Sequence, residues 1–340
     1  MARISLSIVV VLSSFGLGAS PAAAQLREAP AAQETGAEED PIVFRFRVGV
    51  EVTAKRGACK NIGAMVATPI PGPRQTVRLV DEQVSPGVRE VQYRELQGGA
   101  ARQMLVSIPY LENGAKERAV VTYEITTHSA LPVDEDVAAT YNIPRRVPSS
   151  LRRFIAPSPF IESKNAKIKR LARELIDEEA TEGLTDWQRV ELLYDHVLDE
   201  IDYAEGPDTS ALETLTEGVA DCHGRSALFI ALCRAAGVPA RIVWVNEHCY
   251  AEFYMEDPDG EGVWLPIESA GTRAFGEMPL VRGTEVLARV VLQRGDNFRV
   301  PERPRERLRY ASDYLTGSPL PGSGKPSVKY IREVVRDETE

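Results

Sequence analysis

Two pairs of adjacent side chains carry the potential chemistry of this chain. Cys222 and His223 open the stretch ADCHGRSALFIALCRAAGVPAR (220–241), and His248 and Cys249 open HCYAEFY (248–254). Cysteine and histidine are zinc ligands, so the four together could hold a metal. Regular secondary structure argues against it, because successive strand residues point to opposite faces and successive helix residues diverge by about 100°. The same residues suit nucleophilic catalysis. A thiol at the start of a helix meets unpaired N–H groups and the positive end of the helix dipole, and both favour the thiolate. The backbone N–H of Cys222, with that of a neighbour, would serve as an oxyanion hole. His248, on a strand face shared with Tyr250 and Glu252, supplies the base, while Cys249, Ala251 and Phe253 take the other face. Glu268, in WLPIES near the end of the next strand, is placed to orient the imidazole. The expected catalytic set is therefore Cys222, His248 and Glu268, with no metal and no cofactor.

The elements that must position these residues are legible in the apolar spacing. Ile168, Leu171, Ala172, Leu175 and Ile176 follow the i, i+3, i+4, i+7, i+8 rule of an amphipathic helix. A second helix starts at TDWQ, where Thr185 caps and Gln188 closes a capping box, with Val190, Leu193, Tyr194, Val197 and Ile201 on its buried face. Asp221 is the N-cap of the third, whose residues Ala227, Leu228, Ile230, Ala231 and Leu232 leave almost no polar face, so it belongs inside the domain. Gly237 ends it and Pro239 prevents its return. Strand patterns follow in ARIVWV, HCYAEFYME, VWLPIES and VLARVVLQ. Helices first and an antiparallel sheet after them make this part α+β.

Upstream the period is two. Phe44, Phe46, Val48, Val50 and Val52 alternate with polar or small residues, and QTVRLV, VREVQYREL, RQMLVSIPY and ERAVVTYEITT repeat the pattern between turn residues. Several short strands at this spacing predict an all-β sandwich over 41–135 that precedes the α+β domain. Residues 136–160, rich in Pro and Ser, read as a linker, 161–300 as the catalytic domain and 301–340 as a mostly irregular C-terminal extension with one strand at SVKYIREVV. At the other end, one arginine, a short apolar run and SPAAAQ predict a signal peptide over 1–24, cleaved after Ala24. The polar stretch 25–40 reads as a disordered acidic leader. The expected location is the periplasm or the extracellular space, with no stable membrane span after cleavage. A net charge of −10 excludes the basic surface that nucleic-acid binding needs.

Residues 186–270 resemble the transglutaminase-like superfamily, a relative of the papain-type cysteine proteases. The resemblance rests on Asp221 and Cys222, on the apolar helix ending in CRAAGVPAR, on HCYAEFY, and on the run LLYDHVLDEIDYAEGPDTSALETLTEGVADC before the nucleophile. It implies Cys222 as nucleophile and His248 as general base. The family's acid is an aspartate followed by Pro and Thr. Here the stretch is PIESA, and Glu268 is the counterpart with one more methylene. The β-rich segment 42–130 also resembles, in architecture, the sandwich domains that precede this catalytic domain in bacterial proteins. The implied function is an exported cysteine peptidase, amidase or protein-glutamine acyltransferase. It would act on amide bonds of peptides or proteins, a cell-wall peptide included, through a thioester. The Glu268 departure motivates an alternative, a catalytically silent binding module of the cell envelope.

The other polar residues take plainer readings. His223 is expected at the surface or behind the site, His128 and His196 at the surface, and Cys59 inside the sandwich. Cys233 and Cys249 are expected as buried fillers or as a pair. EDPDGEG (256–262) and RGD (294–296) read as turns, and RVPERPRERLR (299–309) as a solvated face.

Overall fold

The computed structural model describes residues 41–335 apart from 178, 180, 283, 284, 287 and 312. The expected signal peptide and acidic leader lie outside the described residues. Six strands come first: β1 (Ile42–Thr53), β2 (Cys59–Thr68), β3 (Gln75–Val84), β4 (Glu90–Leu96), β5 (Ala101–Leu111) and β6 (Lys116–Thr127). The period of two does what it predicts. Phe46, Val48, Val50 and Val52 of β1 are fully buried, and they meet Val66 of β2, Met104 and Val106 of β5, and Tyr123 and Ile125 of β6. Burying a side chain of this size stabilises the fold by about 1.5–3 kcal/mol.

The helices and the remaining strands follow. They are α1 (Glu135–Ala138), α2 (Ala166–Leu175), α3 (Asp186–Glu200), β7 (Asp202–Tyr203), α4 (Ala211–Glu217), β8 (Val219–Ala220) and α5 (Cys222–Ala235). Then come β9 (Ala240–Val245), β10 (His248–Glu256), β11 (Gly262–Glu268), β12 (Ala274–Phe275), β13 (Val281–Arg282), β14 (Glu285–Val286), β15 (Val291–Arg294), β16 (Tyr314–Pro319) and β17 (Ser327–Val335). The fold is α+β with a β-rich part, as the spacing indicates.

Both expected caps form. Thr185 and Gln188 exchange the two bonds of a capping box at α3, and Asp221 caps α5. Every residue of α5 from Ala227 to Cys233 is fully buried, and the helix packs against Cys249, Ala251 and Phe253 of β10. The chain leaves α5 through Gly237 in the left-handed region, with φ at 86°. A second capping box, Ser210 with Glu213, starts α4. Sequence reading left that helix out because two turns give too short a periodic signal.

Three features differ from the sequence reading. The segment 136–160 is not a free linker: Leu151 and Phe154 pack on Tyr254 and Trp264, and Asn142 bridges to Glu256. The C-terminal segment is not an appendage either, since β16 pairs with β2 and β17 pairs with β1 over Arg45–Thr53. Gly317 and Pro319 disguise β16, because both residues are depleted in strands. Finally, the two parts share one sheet. One sandwich sheet has the order β17–β1–β6–β3; in the other, β15 pairs with β9 on one side and with β5 at Gln293–Ala101, which joins β16, β2, β5 and β4 to β9–β12 in a nine-stranded sheet. The RGD turn lies at this seam, with Gly295 at φ 88° and Asp296 buried in an ion pair with Arg234 at 2.8 Å. No helix among the described residues is long and apolar enough to cross a membrane.

Candidate active site

Cys222 is the first residue of α5 and is 7% exposed. Asp221, just before it, accepts the N–H groups of His223 and Gly224 through one oxygen, each at 3.0 Å. That cap commits the neighbour's amide, so of the two donors expected for an oxyanion only the N–H of Cys222 itself keeps that role. Gly224 lets the helix start sit close to its surroundings. A Cβ there would lie 2.2 Å from Thr209 Oγ1 and 2.6 Å from Ala220 Cβ.

His248 is the first residue of β10, directly after the tight turn at Asn246–Glu247, where Glu247 has φ 57°. Asn246 accepts the N–H of Val290 at 2.7 Å, which ties this turn to the start of β15. From there the imidazole and the Cys222 thiol interact closely enough for each to shift the other's titration. Its Nε2 lies 3.1 Å from each carboxylate oxygen of Glu268. With Nε2 on the carboxylate, Nδ1 is the nitrogen left for sulfur.

Glu268 ends β11 and is 3% exposed. Its carboxylate also accepts the N–H of Ala270 at 3.0 Å and pairs with Arg289. Two helices hold the surrounding backbone. Tyr194 of α3 donates its hydroxyl to the Glu268 carbonyl at 2.6 Å and accepts the Ala274 N–H at 2.9 Å. Ser226 of α5 bonds Ser269 at 2.9 Å. The expected residues Cys222, His248 and Glu268 thus lie together, and the extra methylene of glutamate is absorbed without loss of contact to the imidazole.

The electrostatics favour a charged pair. The Cys222 thiol is pushed down to about 4 by the hydrogen bond from the Cys249 thiol, against the effect of burial, with further lowering from His248 and then from the charge of His223. Burial pulls His248 down, but its bonds to Cys222 and Glu268 and their charges carry it up to about 9. Burial also raises the Glu268 carboxyl, yet His248, Arg289 and the Ala270 N–H outweigh it and hold the group below the ordinary carboxylate range. Between these limits the arrangement is thiolate, imidazolium and carboxylate in a row.

His223 is not a surface residue. Its Nδ1 faces Asp208 at 2.8 Å and Asp221 at 3.0 Å, and its ring lies 5.0 Å from that of Trp244. Burial lowers its pKa, but the Asp208 bond, the Cys222 charge and the Asp221 bond raise it. Arg309, expected on a solvated face, is 8% exposed; it pairs with Asp208 at 3.0 Å and donates to the His223 carbonyl at 3.3 Å.

Cys249 is buried as expected, but beside the thiol of Cys222. It faces the helix, and its sulfur, the Cys222 sulfur and a ring nitrogen of His223 lie within 4.8 Å of one another. The two adjacent pairs therefore do converge in part, because strand residue 249 points at the start of α5. This cluster and Asp208–Asp221–His223 are the described groups with donor spacing suited to a metal. All four cysteines are free thiols, so the possible Cys233–Cys249 pair is not made.

A sequence profile of the transglutaminase-like superfamily matches residues 169–269, the span that holds Cys222, His248 and Glu268. The chain carries a transglutaminase-like domain. A solved structure similar to the whole chain is that of a candidate cysteine protease from Cytophaga hutchinsonii, with a TM-score of 0.56 and 16% identity over 88% of this chain and 93% of that one. At that identity the likeness is one of fold. A candidate protease from Parabacteroides distasonis matches 67% of this chain and 47% of its own at 14% identity, with a TM-score of 0.27 that carries no argument. No curated protein matches the chain. The transglutaminase-like domain thus contains α5, β9, β10 and β11, the elements that bring the three residues together.

Arg289, Tyr194, Asp208 and Arg309 lay beyond sequence reasoning as site residues. Tyr194 gave only an apolar-face signal, and nothing in the spacing of an isolated arginine says which carboxylate it meets.

Proposed function

We propose that this protein is an exported cysteine enzyme that acts on amide bonds of peptides or proteins through a thioester on Cys222. The observation that carries the reading is His248, held by the Glu268 carboxylate at 3.1 Å, beside a Cys222 thiol that it pushes down and that raises it in turn. The thiolate attacks the amide carbonyl, and the resulting oxyanion takes the Cys222 N–H at the start of α5. The His248 imidazolium passes its proton to the leaving amine, and the thioester remains. His248, now neutral, takes a proton from water or from a second amine as it attacks, which releases acid or a new amide. Glu268 holds the imidazole in orientation and stabilises its charged form. Export rests on the signal-like sequence at 1–24, and a peptide substrate outside the cytoplasm, cell-wall peptide included, follows from it.

The test is turnover of fluorogenic peptide amides, and amine incorporation into glutaminyl peptides, by the wild-type chain and by Cys222→Ala. The proposal expects one of the two activities in the wild type and a loss of at least about 10³-fold in the variant. Equal rates in both would contradict it and favour a binding module of the cell envelope.

A further inference from the structure

We infer that Cys222 and Cys249 together form a modification site for oxidants of the hydroperoxide class, at which Cys249 closes a reversible disulfide onto the nucleophile. The inference rests on the thiolate reading of Cys222 above and adds a role for Cys249, which the acyl-transfer steps do not use as a reacting group.

Three observations carry it. The two sulfurs and a His223 ring nitrogen lie within 4.8 Å of one another. The pair is unlike in state: Cys222 is held ionised, while complete burial keeps the Cys249 thiol protonated. Oxidation starts at the ionised thiol, and its conversion to a neutral sulfenic acid removes the Cys222 charge that adds to burial in raising the Cys249 thiol, so Cys249 loses its proton as it attacks. No other cysteine competes. Cys233 lies eleven residues further along α5, about 16 Å down the helix axis, and Cys59 is buried in the sandwich core.

The steps balance. The Cys222 thiolate attacks one oxygen of the hydroperoxide; an S–O bond forms and the O–O bond breaks. The alkoxide or hydroxide that leaves takes the proton of the His248 imidazolium. The sulfur is now a sulfenic acid, oxidised by two electrons, and the peroxide is reduced by two. Cys249 attacks that sulfur, the S–O bond breaks, and the departing hydroxide leaves as water with the Cys249 proton. Two thiols and one hydroperoxide give one disulfide, one alcohol or water, and one further water. Closing the bond draws the sulfurs to about 2 Å. The product hides the nucleophile in a buried bond and shields it from sulfinic acid, the irreversible rung above.

The test treats the reduced full chain with hydrogen peroxide and then with dithiothreitol. Peptide mapping follows the sulfurs, and iodoacetamide labelling of Cys222 is read at each stage. The expected result is a peptide pair cross-linked through Cys222 and Cys249, loss of Cys222 labelling, and its return after dithiothreitol. In Cys249→Ala, labelling is lost through sulfinic acid and does not return. Sulfinic acid at Cys222 in the wild type without the cross-link, no oxidation at all, or equal recovery in the variant would each overturn the inference. If the variant does not fold, the wild-type map decides alone. Labelling before peroxide separates the two claims. Slow labelling there contradicts the thiolate reading itself, whereas fast labelling without a cross-link contradicts only the role of Cys249.

Discussion

At the scale of single residues, the site is a row of charges whose members set one another. In the proposed reaction Cys222 must be ionised to attack, and His248 must be protonated to serve the leaving amine. With the thiol near 4 and the imidazole near 9, the reactive form is lost to thiolate protonation as pH falls through the first value. It is lost to imidazole deprotonation as pH rises through the second. We expect a bell-shaped profile of kcat/KM with limbs near these values, the limbs belonging to the coupled pair. The two partners of His248 shape the alkaline limb in opposite directions. Glu268→Gln removes a negative charge from the imidazolium and moves that limb to lower pH, with a fall in kcat of about 10²-fold or more. Arg289→Gln removes a competing positive charge from the same carboxylate and moves the limb to higher pH. Titration of kcat/KM in the two variants reads both shifts, and movement in the same direction would contradict the arrangement.

At the scale of elements, the site depends on where α5 begins and on what lets it lie close. Gly224→Ala would put a methyl against Thr209 and Ala220, so the helix start must shift and Cys222 with it. We expect reduced Cys222 labelling and a lower Tm by calorimetry. At α3, Thr185→Ala removes the hydrogen bond to the Gln188 N–H and costs about 1 kcal/mol in denaturant unfolding, leaving the pH profile in place. These elements were readable from sequence because each carries a local signal: a cap, an apolar spacing, a Gly–x–Pro exit. The clamp on His223 was not readable. Its members Asp208, Asp221 and Arg309 are separated by up to a hundred residues, and tertiary packing alone selects them. The approach of Cys249 to Cys222 was not readable for a related reason. Alternation along a strand puts residue 249 on the core face opposite His248 but does not say which helix residue it meets there.

At the scale of the molecule, one continuous sheet joins the sandwich to the transglutaminase-like part, and the last described strands complete the sandwich. The alternating pattern made five of the first six strands legible, but not β2, whose residues from Ala64 on are buried on both faces. It carried no information about partners distant in sequence, so the return of β16 and β17 and the seam at β15 were not. The seam holds the Arg234–Asp296 pair, 0% and 3% exposed. Asp296→Ala would leave a buried guanidinium without its counter-charge, and we expect a loss of about 3–5 kcal/mol in denaturant unfolding. Such a loss would mark the RGD turn as buried structure held against α5.

The most direct test of the central claim is the rate of iodoacetamide alkylation at Cys222 against pH, in the wild-type chain and in His248→Ala. The account predicts that the wild-type rate has already risen far below the midpoint of about 8.5 expected of a free thiol, and that the variant's midpoint moves upward. A midpoint near that of a free thiol in both proteins would contradict the Cys222–His248 pair and the acyl-transfer reading built on it.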